Sequence, residues 1–267
     1  MIAHVLGYSR AAYYKQLKDM AGRATRDARL REMVCQERKV LPKVGGRKLQ
    51  ILLRNRDVQC GRDRLFDVLR RSGLLIRPRK RYIQTTFSRH WMRTYPNLIR
   101  DIHVSGPEEL WVSDITYLKT DEGYCYLSLV TDAYSRKIMG YTVADSLDAD
   151  HSRQALEMAL RTRIAADHGL THHSDRGLQY CSKEYVQLAE KHNVRMSMTE
   201  NGDPYENALA ERMNRTIKEE FCLDTVLPSR KLARLAVAEA VRLYNTYRPH
   251  LALAGKTPEA VHMNKSR

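Results

Sequence analysis

The chain has 267 residues, 43% of them hydrophobic, and a formal net charge of +15, enough for one large domain or two ordinary ones with a sizeable core. No run of 18 apolar residues occurs, so a helical membrane span is excluded, and the opening MIAHVLGYSRAAYYK lacks the apolar stretch and cleavage site of a signal peptide. Five scattered cysteines without a CxxC pair suit a reducing, cytoplasmic setting and argue against a zinc site or a disulfide framework.

The charge is unevenly spread. Residues 1–100 carry 25 Lys+Arg against 7 Asp+Glu, a balance of +18, while residues 101–267 carry 21 against 24, a balance of −3. Such asymmetry predicts a polyanion-binding arm on a near-neutral domain, with nucleic acid as the leading polyanion. A membrane surface is the rival partner, but the basic segments do not read as long amphipathic helices with a Trp/Phe face.

In chain order, residues 1–81 read as a basic helical region. Gly7 can turn the chain and Ser9 can cap a short basic helix from Arg10 to Lys18. Thr25 to Lys39 and Arg47 to Asn55 are further helix candidates. GRDRLFDVLRRSG places Leu65, Phe66, Val68 and Leu69 on one face and ends at Gly73, a C-capping residue. LLIRPRKRY then supplies Arg77, Arg79, Lys80 and Arg81, read as phosphate contacts on DNA, with a solvated linker as the alternative. Residues 82–108, with Pro96, Gly106 and Pro107, read as a linker.

After Leu110 the pattern changes. LWVSDITYLKT, YCYLSLVTDAYS and RKIMGYTVADS form three successive strands rich in β-formers. A helix over DADHSRQALEMALRTRIAAD follows, then a strand LTHHSD, a helix SKEYVQLAEKHN and a strand VRMSMT. The loop ENGDPYEN leads into a helix NALAERMNRTIKEEFC, and a last helix, RKLARLAVAEAVRLYNTYR, halts at Pro249. Three strands in series, then alternating helices and strands, predict an α/β fold with a mixed sheet flanked by helices over 109–225, and a C-terminal helix and tail over 226–267 packing on it.

Three carboxylates stand out in this frame. Asp114 interrupts an apolar strand, where a charge is costly unless paired or bound to a cation. Asp175 ends the fourth strand in HHSDRGLQY, where Asp followed by Gly is also ordinary turn chemistry. Glu211 lies on the helix after the Gly-Pro loop. Carboxylates without neighbouring Cys or imidazole spacing prefer hard cations, Mg²⁺ or Mn²⁺. Two such ions can activate a nucleophilic oxygen and stabilise a leaving oxygen in phosphoryl transfer.

The words WVSDITYL, HSDRGLQY and ENALAERMNRTIKEE, in this order and with 35 residues between Asp175 and Glu211, resemble the signature blocks of the DDE transposase and retroviral-integrase superfamily. YNTYRPHLALAGKTPEA resembles the tail of reading-frame B products from family-three bacterial insertion sequences, and GRDRLFDVLRRSG looks like their pre-catalytic helices. The resemblance covers roughly residues 1–264. It implies an RNase H-like core in which Asp114, Asp175 and Glu211 are catalytic and hold two Mg²⁺ ions, Mn²⁺ substituting. It further implies metal-dependent 3′-end cleavage and strand transfer of insertion-sequence DNA, with double-stranded element ends and target DNA as substrates and a homo-oligomer in the synapse. An upstream-frame product supplying a helix-turn-helix and coiled coil is an expected partner, because the first residues resemble only half of such a motif.

Around the carboxylates, Asn207, Arg215 and Lys218 are expected along the Glu211 face of the helix. Lys218 and Arg215 are read as DNA phosphate contacts, and Asn207 as a hydrogen-bond partner behind the metal ligands or as a helix cap. His173 is read the same way or as a packed strand residue, which the sequence context favours. Trp111 is read as core, and Arg248, Pro249 and His250 as packing of the last helix. Two other functions remain open at this level: a catalytically inactive DNA-binding relic or repressor of transposition, and an RNase H-like nuclease that cleaves without joining.

Overall fold

The computed structural model describes residues 9–76, 94–100, 102–164, 169–200 and 204–264, without the side chains of Pro204 and Tyr205. The chain divides into two compact units, Met1–Pro78 and Arg79–Arg267.

The N-terminal unit is three helices, α1 (Arg10–Val40), α2 (Gly46–Arg54) and α3 (Arg62–Arg71). Ser9 caps α1 by accepting from the Ala12 amide. The two separate helices expected at Arg10–Lys18 and Thr25–Lys39 are one 31-residue helix. The intervening residues include a single helix breaker, Gly22, whose cost of about 1 kcal/mol does not end a helix; Pro42 follows its end. Only its last third is anchored: Leu30, Val34 and Glu37 are buried, and the residues before Arg29 are almost all exposed. Leu49, Leu52 and Leu53 of α2 and Leu65, Val68 and Leu69 of α3 complete a small aliphatic core. Phe66 lies partly buried beside that core, over Gly46, where a Cβ would sit 2.8 Å from its ring.

The second unit is built on a five-stranded mixed sheet: β1 (Leu110–Thr120), β2 (Gly123–Asp132), β3 (Ile138–Ala144), β4 (Leu170–Ser174) and β5 (Val194–Met198), in the order β3-β2-β1-β4-β5. β2 runs antiparallel to both its neighbours, while β1, β4 and β5 are parallel. This is the expected RNase H-like arrangement, and the expected strands sit at their expected places. α4 (Ala149–Arg161) and α5 (Lys183–Lys191) cover one face through Trp111, Leu156, Ala159, Tyr180 and Tyr185. Their approach is close: a Cβ on Gly140 of β3 would meet the Ala155 carbonyl at 2.1 Å, so glycine is required there. α6 (Ala208–Glu220) and α7 (Arg230–Thr246) cover the other face through Leu118, Leu127, Met213, Ile217, Val237 and Tyr244. Each such fully buried side chain contributes about 1.5–3 kcal/mol.

Two local differences from the sequence reading stand out. Within residues 94–108, read as linker, the chain is built into this unit: the Leu98 amide donates to Ser197 Oγ at 2.9 Å, Tyr95 packs against the α4/α5-side core, and Glu108 is buried. A final helix, α8 (Pro258–Asn264), also went unrecognised. It brings His262 into a buried network with Ser135 at 3.0 Å and Glu108 at 3.3 Å. Seven residues are too few for periodicity to declare a helix, although Thr257 accepting from Ala260 and Pro258 in the first turn are ordinary start signals.

Candidate active site

The site forms where one edge of β1 loses its neighbour. Parallel pairing with β4 ends at Val112 and His173. Two residues further along each chain come Asp114 and Asp175, so the register itself sets the two carboxylates side by side beyond the end of the ladder. Among the described residues, the same edge of β1 next takes a backbone partner at Lys119–Asp121, where it pairs with Leu227. Between these points α6 lies along the strand and its side chains take over the hydrogen bonding. Asn207 Nδ2 donates to the Ser113 carbonyl at 3.0 Å, and Lys218 Nζ donates to the Tyr117 carbonyl at 2.9 Å and Thr116 Oγ1 at 3.1 Å. Asn214 Nδ2 donates to Asp114 Oδ2 at 2.9 Å.

Glu211 lies on this same stripe. At about 100° per residue, Asn207, Glu211, Asn214 and Lys218 fall within some 60° of one another around the helix. All three carboxylate residues keep part of their surface in solvent.

The electrostatics agree with this placement. Desolvation first, then the charge of Asp175 and more weakly that of Glu211, push the Asp114 carboxyl up to about 7, against the lowering hydrogen bonds from Asn214 and the Ile115 amide. Asp175 Oδ1 accepts from the Gly177 amide at 3.0 Å, so the turn chemistry suggested by SDRG is real and leaves a carboxylate at the strand end. Among the described residues no three His, Cys, Asp or Glu side chains are gathered closely enough to enclose an ion. The donor set is nonetheless all oxygen, and the charges of Asp175 and Glu211 bear on Asp114, a repulsion that a hard divalent cation relieves.

The remaining expected residues are placed as follows. Lys218 is partly buried, which pulls its ammonium down, opposed by Asp224 and Asp114. Arg215 lies about 80° from Asn207 around the helix, is 52% exposed and pairs with Glu219 at 2.9 Å; the geometry does not bring it to the carboxylates. Asn207 makes no side-chain cap to α6 and binds β1 instead. His173 is buried and bonded to Ser197 Oγ at 2.9 Å. Arg77, Arg79, Lys80 and Arg81 lie outside the described residues.

Two features escaped the sequence reading, and a third, Arg248, read as packing of the last helix, gains a named partner. Asn214 sits centrally on the α6 stripe, a position its spacing from Asn207 and Lys218 already marks. His172, given no role, is buried with Nε2 at 2.7 Å from Ser113 Oγ and 3.0 Å from the Tyr185 hydroxyl, immediately behind Asp114; burial pulls it down to about 3, so it is neutral. Arg248 is buried, pairs with Glu220 through two bonds at 2.7 and 2.8 Å, and so ties the end of α7 to the end of α6.

The sequence is similar to those of known proteins. The family described as Integrase core domain matches residues 104–204, and a second family of the same description matches residues 192–258. The Insertion element IS600 uncharacterized 31 kDa protein of Shigella sonnei is 32% identical over 97% of this chain and 96% of its own length. Transposase InsF for insertion sequence IS3A of Escherichia coli is 35% identical over 72% of this chain and 67% of its own. Among solved structures, the HTLV-2 integrase catalytic core domain in complex with magnesium has a TM-score of 0.48 at 19% identity, covering 60% of this chain and 99% of that one. Core domains of this kind generally use divalent metal ions, and the transposases that carry them cut and join DNA. The chain belongs to the IS3-type insertion-sequence transposases with an integrase-type catalytic core.

Proposed function

We propose that the chain catalyses metal-dependent 3′-end cleavage and strand transfer of an insertion-sequence DNA, with Asp114, Asp175 and Glu211 as the catalytic metal ligands. The observation that carries this reading is the juxtaposition just described: β1 and β4 end their ladder so that Asp114 and Asp175 adjoin, and the charges of Asp175 and Glu211 raise Asp114. A pair of Mg²⁺ ions, or Mn²⁺ in their place, would supply Lewis-acid activation of the attacking oxygen and charge stabilisation of the leaving one. The three carboxylates would hold them. Asn214 fixes one oxygen of Asp114, and Asn207 fixes the strand next to it, so the ligand carboxyl is oriented from two points on one face of α6. Lys218, held on the edge of β1 beside Asp114, is placed to neutralise a substrate phosphate.

In the first reaction water attacks the phosphorus at the element end, the bond to the 3′ oxygen breaks, and a free 3′-hydroxyl is left. In the second, that hydroxyl attacks another phosphodiester, displacing its 3′ oxygen and joining the strands. Neither reaction needs a covalent intermediate with the protein. Arg77, Arg79, Lys80 and Arg81 are proposed to bind flanking duplex through phosphate, and two or more copies of the chain are proposed to hold the two ends and the target.

The test uses DNA flanking the reading frame, in Mg²⁺, Mn²⁺ or chelator, with strands resolved on a denaturing gel. Nicked and joined strands are expected with either metal, and none with chelator or with Glu211→Gln. Binding without chemistry, both for this chain and for its fusion to the upstream frame, would overturn the reading; nicking without joined product would favour a nuclease.

A further inference from the structure

Two half-exposed aromatic rings stand on β1 and β2, linked to the carboxylate site through Lys218. Tyr117 and Tyr124 are 55% and 50% exposed, with ring centroids 5.6 Å apart in an edge-to-face arrangement. They belong to adjacent strands: Tyr124 stands opposite Lys119, two residues from Tyr117 on the same face. A cross-strand aromatic pair stabilises a sheet, but here the rings share their surface with cations. Lys218 Nζ sits 4.7 Å from the Tyr117 ring centroid while holding the Tyr117 carbonyl, and Lys119 is exposed beside Tyr124.

One ammonium therefore joins the two features, since Lys218 feels Asp114 on one side and faces Tyr117 on the other. Tyr117 is three residues past Asp114, on the other face of the strand and about 10 Å along it, a span of about three base steps of one strand that Lys218 bridges at the open edge. Exposed rings interleaved with cations are what a nucleic-acid strand with unstacked bases seeks, because rings stack on any base and the cations take phosphate. Within fully paired DNA the bases stack on one another, and only the outer face of a terminal pair is free.

We infer that Tyr117 and Tyr124 form a stacking platform for one or two unpaired bases of the DNA strand next to the reacting phosphate, with Lys218 holding the intervening phosphate. The inference rests on the transposase reading and adds to it that the DNA end is opened, not bound as intact duplex. The rings are positioning groups for substrate and stand apart from the carboxylates that face the reacting atoms.

The experiment compares the full chain with Tyr117→Leu, Tyr124→Leu and Tyr117→Phe, on flanking DNA whose end is either fully paired or carries three unpaired bases, one of them 2-aminopurine. Each leucine variant is expected to lose roughly tenfold in affinity for the opened end, to leave binding of the paired end unchanged, and to abolish quenching of the 2-aminopurine. Tyr117→Phe keeps the ring and is expected to behave as wild type. Equal binding of the opened end by wild type and leucine variants overturns the platform, as does an equal loss on both DNAs. A changed oligomeric state with unchanged DNA binding overturns it in favour of a contact between copies. If wild type nicks DNA with metal while the leucine variants quench normally, the platform alone fails; if wild type never nicks, the transposase reading fails first.

Discussion

Helices α1 and α6 show two ways in which this chain deploys charged and polar side chains. α1 is long and polar almost all round, and beside a small aliphatic core and the buried Glu37, paired with Arg56 at 2.7 Å, its contacts to the rest of its unit include solvent-open ion pairs, such as Asp27 with Arg64 at 2.8 Å and with Arg71 at 2.9 Å. Those arginines hold the Asp27 carboxyl below its usual range, yet each pair is open to solvent and salt. α6 is less than half as long, and its polar stripe is turned inward, with Asn207 and Asn214 buried against β1. The first arrangement leaves most of its charges in solvent. The second fixes individual atoms and tolerates little change. A buried polar group without its partner costs more than an exposed one, so precision and fragility come together.

The comparison is most sharply broken at Glu211. Glu211→Gln is expected to lower metal-dependent nicking by at least about a thousandfold, because charge stabilisation of several kcal/mol depends on the ligands, with urea midpoints at neutral pH holding or rising as like-charge repulsion is relieved. A folded variant with normal nicking would remove Glu211 from the site. Next comes Asn214→Ala, which releases one oxygen of Asp114; nicking and Mg²⁺ affinity are expected to fall about 10- to 100-fold, a loss that Asn214→Leu shares if orientation is the cause.

The third test reads burial through pH. His172 has a folded value of about 3 against 6.5 for a free imidazole. Above pH 6.5 neither state is protonated and His172 adds no pH dependence. As pH falls below 6.5 the unfolded chain takes up a proton that the folded chain refuses, so stability declines by about 2 kcal/mol by pH 5. His172→Gln is expected to flatten this slope between pH 7 and 5 in urea denaturation, whatever its own cost at pH 7. The smallest effect belongs to α1: Arg64→Ala is expected to cost under about 1 kcal/mol, and less as salt is added.

How much of this was readable beforehand depends on the kind of information involved. Strands β1 to β5 and helices α4 to α7 were legible because alternation of apolar residues and capping signals are local. The short-range turn at Asp175 was legible too, since SDRG carries its own hydrogen bond to Gly177. Arg215 and Asn214 mark the limit of the same reasoning. Four-residue steps each add about 40° around a helix, so following them from Asn207 to Glu211 to Arg215 drifts off the stripe, while Asn214 and Lys218 stay on it. α1 was divided in two because a polar helix lacks the apolar rhythm by which continuity is recognised.

By itself the sequence determined which segments become strands and helices, which residue types are available to bind a cation or a phosphate, and where the positive charge is concentrated. Tertiary structure alone decided that the ladder between β1 and β4 ends at Val112, that α6 closes the open edge there, and that His172, Arg248 and His262 become buried partners of residues 13 to 154 positions away. The reason is physical: side-chain periodicity encodes which face of an element is apolar, whereas the pairing of a strand edge depends on backbone groups that every residue carries alike, and is settled only when the elements meet.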